Sequence, residues 1–169
     1  LRLYEGTTRL GIDVTGDWND TDLYVAQGAV FDLNGIGITI DTLTGSGIIC
    51  NSVPPPPEST EIPLVVKSGT FYGAINGPIQ LGKIGADTFT LSGTNTYTGG
   101  TAINYGTLRI WHQSPGTDSI PNDGVVYLSD QGKLEVVNSN ETIGQLLAWN
   151  AWGRLTVNNG SLTVDSAQN

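Results

Sequence analysis

The chain has 169 residues, enough for one sizeable core and too few to demand a second domain. Only 14% of the residues are charged, Gly is frequent at 23 and Met is absent, which excludes a helical bundle and points to an all-β chain broken by turns. A formal charge of −9 repels phosphate backbones and anionic lipid, and no apolar run approaches the roughly 20 residues of a bilayer span, so neither nucleic acid binding nor membrane insertion is expected.

The first 22 residues form the first element. Leu1-Arg-Leu-Tyr-Glu-Gly-Thr-Thr-Arg-Leu-Gly-Ile-Asp-Val14 reads as a strand-like segment outside the repeats that follow, able to pair with a neighbouring subunit. Its apolar side chains, Leu1, Leu3, Tyr4, Leu10, Ile12 and Val14, are the expected interface. No basic-plus-apolar leader precedes it, and a mature or excised product is expected. Next comes Asp17-Trp-Asn-Asp-Thr-Asp22. Alternate oxygens at Asp17, Asn19 and Thr21 have the spacing of a Ca²⁺ loop, but the Gly and distal Glu of an EF-hand are missing, and a solvated acidic turn is the better reading. No metal and no cofactor is expected.

Residues 23–169 read as one β-solenoid. Apolar residues come in pairs spaced by one, at Phe31/Leu33, Ile38/Ile40, Leu64/Val66, Phe89/Leu91, Leu108/Ile110, Val126/Leu128, Leu134/Val136, Leu155/Val157 and Leu162/Val164. Each pair can turn one face of a short strand inward. Between them stand Gly- and Asn-rich corners such as Asn34-Gly35, Thr44-Gly45-Ser46-Gly47, Thr98-Gly99-Gly100 and Asn158-Asn159-Gly160. Cys50, the single cysteine, follows Ile48-Ile49 and suits a small buried site, an intermolecular disulfide being the other reading. The proline run from Val53 interrupts the pattern, and residues 52–62 are expected to be a loop inserted into one coil.

A β-sandwich would satisfy the same strand signals, so internal repetition has to decide. Phe31, Leu33, Ile40 and Leu43 reappear as Leu134, Val136, Ile143 and Leu146, each displaced by 103 residues (31 to 134, 33 to 136, 40 to 143, 43 to 146). Two copies of one stacking module are the expectation, the second stopping early after Leu162-Thr-Val164.

Residues 83–110 read KIGADTFTLSGTNTYTGGTAINYGTLRI. Thr88-Phe-Thr-Leu91, Ser92-Gly93, Asn95-Thr-Tyr97, Thr98-Gly-Gly-Thr101, Ile103-Asn104 and Gly106-Thr-Leu108 resemble the autotransporter-associated β-strand repeat, also called the passenger-associated transport repeat. The resemblance implies a right-handed parallel β-helix, export and life on the bacterial surface or outside the cell. It implies no active site. Independently of it, Thr, Asn and Ser at successive coil positions can stack into hydrogen-bonded ladders while Phe89, Leu91, Ile103, Leu108 and Ile110 fill the interior. Tyr97 is expected to pack over the Gly99-Gly100 turn.

Candidate chemistry is sparse. His112, the only histidine, precedes the turn Ser114-Pro-Gly116 and reads as a surface or turn residue. The basic residues Lys67, Lys83, Arg109, Lys133 and Arg154 are scattered, unlike the clustered machinery of a β-helical polysaccharide lyase or hydrolase. Trp149-Asn-Ala-Trp152 stands in an expected turn, where the two indoles either cap the solenoid or form an interface. Asn19, Asn140 and Asn159 head glycosylation sequons, a short pattern in an Asn- and Thr-rich chain.

The expected function is a non-catalytic extracellular structural protein, a solenoid subunit that self-associates head-to-tail in a filament or stalk. The alternatives are an adhesin segment of an autotransporter passenger, contacting glycan or another surface protein through Trp18, Trp111, Trp149 or Trp152, and, disfavoured, a β-helical polysaccharide lyase or hydrolase.

Overall fold

A computed structural model describes residues 1–11, 18–55, 57, 59, 61–113, 118–149 and 153–165. The chain winds as an all-β parallel solenoid of about seven coils, with no helix among the described residues. The first two coils carry β1 (Arg2–Leu3) with β2 (Gly6–Arg9), and β3 (Leu23–Val25) with β4 (Ala29–Asp32). Then come β5 (Ile38–Gly45) with β6 (Ile48–Cys50), and β7 (Ile62–Phe71) with β8 (Ala74–Gly77). The next coil is β9 (Ile79–Lys83), β10 (Thr88–Leu91) and β11 (Thr96–Tyr97), followed by the long β12 (Thr101–Trp111). The chain ends on β13 (Val125–Val137) with β14 (Asn140–Ile143), and on β15 (Gln145–Ala148), β16 (Arg154–Asn158) and β17 (Ser161–Val164).

These strands form a ten-stranded sheet, a five-stranded sheet ordered β11-β8-β6-β4-β2, and a two-stranded sheet of β14 and β17. Register places like on like. One column runs Leu23, Leu43, Gly69, Phe89, Leu108, Leu134, Leu155 from coil to coil, and a second runs Val25, Gly45, Phe71, Leu91, Ile110, Val136, Val157. The apolar pairs read from the sequence are buried from Phe31/Leu33 through Leu134/Val136. Phe89, Leu91, Ile103, Leu108 and Ile110 lie at 0% exposure, as the resemblance and the alternation require. Each such side chain withdrawn from water contributes about 1.5–3 kcal/mol before ordering costs.

The 103-residue module is a correction. Phe31 lies in β4 of the five-stranded sheet, whereas its proposed counterpart Leu134 lies in β13 of the ten-stranded sheet. Ile40 in β5 and Ile143 in β14 likewise occupy different sheets. A shift that matches apolar residues need not match faces, because an alternating pattern looks alike on every wall of the coil. The true period is one coil. Register partners stand 20 residues apart at Leu23 and Leu43, 19 at Phe89 and Leu108, and 26 at Leu108 and Leu134.

Corners are made by two devices. Asn34, Asn138 and Asn159 hold φ of 50°, 53° and 52°, a left-handed conformation that asparagine tolerates better than most side chains. Each carboxamide reaches one coil back: Asn34 Nδ2 donates to Leu10 O, Asn138 Nδ2 to His112 O and Asn159 Nδ2 to Asn138 Oδ1. The second device is a stack of glycines, Gly47, Gly73 and Gly93, at the bend between the two larger sheets. A Cβ there would stand 2.4 Å from Ala26 O, 2.0 Å from Gly47 O and 1.7 Å from Gly73 O respectively.

β1 and β2 pair in parallel with β3 and β4 of the same chain, so residues 2–9 form the first coil. The proline-rich stretch lies between β6 and β7, with Ser52 donating through its amide and hydroxyl to the Asp32 carboxylate.

Candidate functional site

Polar groups inside the solenoid gather where the coil is irregular. Between β12 and β13 no strand is formed by the described residues, where the neighbouring coils carry β11 and β14. The backbone at Ser119 and Ile120 is stitched there by side chains from both sides. Asn95 Nδ2 donates to Ser119 O at 2.6 Å from the coil before. From the coil after, the Glu141 carboxylate accepts the amides of Ser119 at 2.9 Å and Ile120 at 3.0 Å, and the Ser139 hydroxyl at 2.6 Å. Burial nevertheless raises the Glu141 pKa above the usual carboxyl range, outweighing those hydrogen bonds.

His112 belongs to this cluster, which corrects its reading as a surface residue: it is 6% exposed, with Ser119 and Glu141 beside its ring. Its Nε2 lies 2.9 Å from Ser119 Oγ and 3.9 Å from Glu141 Oε1. Serine, histidine and acid are thus assembled, but in the wrong order for a relay. An orienting carboxylate has to hold the ring nitrogen opposite the one that faces the nucleophile, and here both partners face Nε2. Ser119 and Glu141 are 0% and 1% exposed. Desolvation lowers the His112 pKa, which disfavours the charged ring, against the opposing pull of Asp118. The arrangement holds backbone.

Lys83 is the group that sequence reasoning passed over. It stands in an inward column between Val66 and Ile103 and is fully buried. Its Nζ donates to the carbonyls of Ile84 at 2.6 Å, Gly85 at 2.8 Å and Tyr105 at 3.1 Å, clamping the corner after β9. Desolvation lowers its pKa to about 8. The signal available in the sequence was its register, two residues after the inward-facing Leu81.

Tyr97 is buried at 1% exposure beside the turn, and its hydroxyl meets Thr101 Oγ1 at 2.7 Å across the Gly99-Gly100 corner. Of the acidic turn, Asp17 lies outside the described residues. Lys67 faces the rest, with Nζ 3.7 Å from Asp20 and 3.4 Å from Asp41 and donating to Asn19 O. Among the described residues no three His, Cys, Asp or Glu side chains are grouped to hold a metal. Cys50 is half-buried in β6, its thiol pKa raised by burial and by Asp32.

The expected interface residues scatter. Leu3 and Leu10 are core residues at 9% and 5% exposure, while Leu1 and Tyr4 are exposed at 49% and 63%. Ile12, Val14 and Trp152 lie outside the described residues. Trp149 does not cap the open end of the stack. It follows β15 on the outer face of the large sheet, 77% exposed, with its amide donating to Leu128 O at 3.0 Å. Its ring meets Tyr127 edge-on, centroids 6.4 Å apart at 81°. Trp18 is half-buried with its ring 6.3 Å from Phe31, and Trp111 is half-buried at the end of β12. Beside Tyr127 and Trp149 lies a surface pocket of about 260 Å³ completed by Gln80, Ala102, Asn104 and Ser129. It adjoins a second, of about 390 Å³, that shares Gln80 and Tyr127 and includes Glu61 and Asp123.

Comparison with known proteins agrees with this architecture. Residues 81–110 match the passenger-associated-transport-repeat family, the segment in which the sequence shows that resemblance. The chain is 38% identical over 94 residues to the adhesin BmaC autotransporter of Brucella suis biovar 1 (strain 1330), a match that covers 50% of this chain and 2% of that protein. The chain thus spans a small fraction of the length of this relative. No solved structure matches it.

Proposed function

We propose that the chain is a rigid, non-catalytic segment of a bacterial surface passenger, whose work is to carry an outer binding face away from the cell. The observation that carries this reading is the register column from Leu23 to Leu134, filled by Leu or Phe at every coil except that of Gly69 and running through a coil that matches a transport repeat. Parallel coils stacked in register make a stiff rod whose length grows with each repeat. The partial likeness to an adhesin supports a place on the surface or outside the cell. To test it, the chain is fused to a translocator barrel in a Gram-negative host and probed with protease and antibody on intact cells. Exposure at the surface is expected; retention inside would overturn the reading. Purified chain is expected to leave pectin and alginate uncleaved, and turnover lost on His112→Ala would overturn the non-catalytic part.

A second reading, head-to-tail self-association, rests on the two ends. On the last coil Leu155, Val157 and Val164 are 44%, 39% and 43% exposed, although they continue columns that are buried elsewhere. On the first, β1 and β2 have no strand partner on their outer sides among the described residues. Stacking first coil on last would extend both sheets and cover these side chains. Sedimentation across a range of concentrations should show growing assemblies that Leu155→Asp abolishes. A chain that stays monomeric at every concentration removes this reading.

A further inference from the structure

We propose that the outer face beside Tyr127 and Trp149 is a binding site for an uncharged oligosaccharide. The site starts from the outward column Gly82, Ala102, Tyr127, Leu147, whose members are register partners on successive coils. Ala102 stands next to the tyrosine, leaving a depression with Ala102 in its floor and an aromatic wall. Trp149 completes the wall. Its backbone amide donates to Leu128 O and its ring stands perpendicular to that of Tyr127, while the side chain stays largely exposed to solvent. An indole 77% exposed beside a pocket offers an apolar surface on which a ligand can stack.

The chemistry around the indole selects the ligand. A pyranose ring has faces of C–H groups and a rim of hydroxyls, and the electron-rich face of an indole attracts the first. The rim needs planar donors and acceptors. Asn104 Oδ1 accepts from Ser129 Oγ at 2.8 Å, which fixes the carboxamide and leaves its Nδ2 outward, and Gln80 presents a second amide one coil earlier. No Lys or Arg lines either pocket, and Glu61 and Asp123 flank the adjoining one. With the net charge of −9, this repels uronic and sialic acids and leaves neutral sugars as the class that fits. Gln80, Asn104, Ser129 and Trp149 belong to successive coils, so the site spans three strand spacings of about 4.8 Å, roughly 14 Å, and takes a short chain of sugars rather than one ring.

This inference deepens the reading of a displayed segment and rests on it; a chain that reaches the surface but binds no sugar would fail here alone. The test is saturation-transfer NMR on the purified chain with cellohexaose, maltohexaose, mannohexaose and lacto-N-tetraose, and with 3′-sialyllactose and hexagalacturonate as acidic probes. At least one neutral glycan should receive saturation on its ring C–H protons, and neither acidic probe should. Trp149→Ala should abolish the transfer and Asn104→Leu should weaken binding at least tenfold. Circular dichroism unchanged in both variants would show that the coil is intact. Transfer to no neutral glycan, transfer that survives Trp149→Ala, or stronger transfer to the acidic probes would each overturn the proposal.

Discussion

Gly93 packs against Gly73 so closely that a Cβ on Gly93 would stand 1.7 Å from the Gly73 carbonyl oxygen. The contact belongs to a corner stack in which Gly73 makes the same approach to Gly47. No side chain can enter without parting two coils. Gly93→Ala should therefore cost about 3 kcal/mol or more, beyond the usual range for an added methyl in a packed site. Gly11→Ala, where nothing lies within 4 Å, is the control and should stay within about 0.5 kcal/mol of the wild type. Urea denaturation of both variants checks the pair, and similar losses would show that the corner can spread.

Leu91 and Leu108 stand within neighbouring inward columns and are fully buried. Replacing either by Ala is expected to cost about 2–5 kcal/mol, the removed methyl groups plus the cavity they leave. Leu155→Ala should cost much less, because the same column position on the last coil is 44% exposed. Equal losses at Leu108 and Leu155 would contradict the position of β16 at the end of the stack.

The clamp at Lys83 has a pH signature. Its pKa falls from 10.5 to about 8 on folding, so between those values the unfolded chain holds a proton that the folded chain has released. Stability contributed by this group therefore rises as pH climbs through that window. Relative to Lys83→Met, which keeps an unbranched side chain without the charge, the wild type should gain about 1–2 kcal/mol between pH 7.5 and 9.5. Parallel stability curves for the two proteins would mean that Lys83 does not titrate there.

At Glu141 Oε2 accepts the amides of Ser119 and Ile120 while Oε1 accepts the Ser139 hydroxyl and shares the Ser119 amide, so Glu141→Gln turns one buried acceptor into a donor. A loss of about 1–3 kcal/mol is expected, the cost of buried groups left without partners. Glu135 differs. A hydrogen bond from Lys133 and the Arg109 guanidinium beside it hold its pKa down, but both cations are partly exposed, and Glu135→Gln should cost less than about 1 kcal/mol. Chemical denaturation at neutral pH separates the two, and a Glu135 variant as damaged as the Glu141 variant would sink this account of the loop.

The sequence by itself determined which residues could face inward and where the chain had to turn. Phe89/Leu91 and Leu108/Ile110 alternate with the period of a strand, and the Asn- and Gly-rich breaks fall where backbone geometry admits few other residues. Tertiary structure alone decided which wall of the coil each strand joins, because alternation looks the same on all of them; Phe31 and Leu134 matched in pattern and parted in space. It also decided burial. Leu155/Val157 carry the same signal as Leu134/Val136, yet they are 44% and 39% exposed, because among the described residues β16 has a strand partner on one side alone. The candidate binding face was least legible, since Gln80, Ala102, Asn104, Tyr127, Ser129 and Trp149 come together only through register between coils. A pocket built across parallel strands depends on residues about twenty or more apart, and no local pattern records which of them will be neighbours.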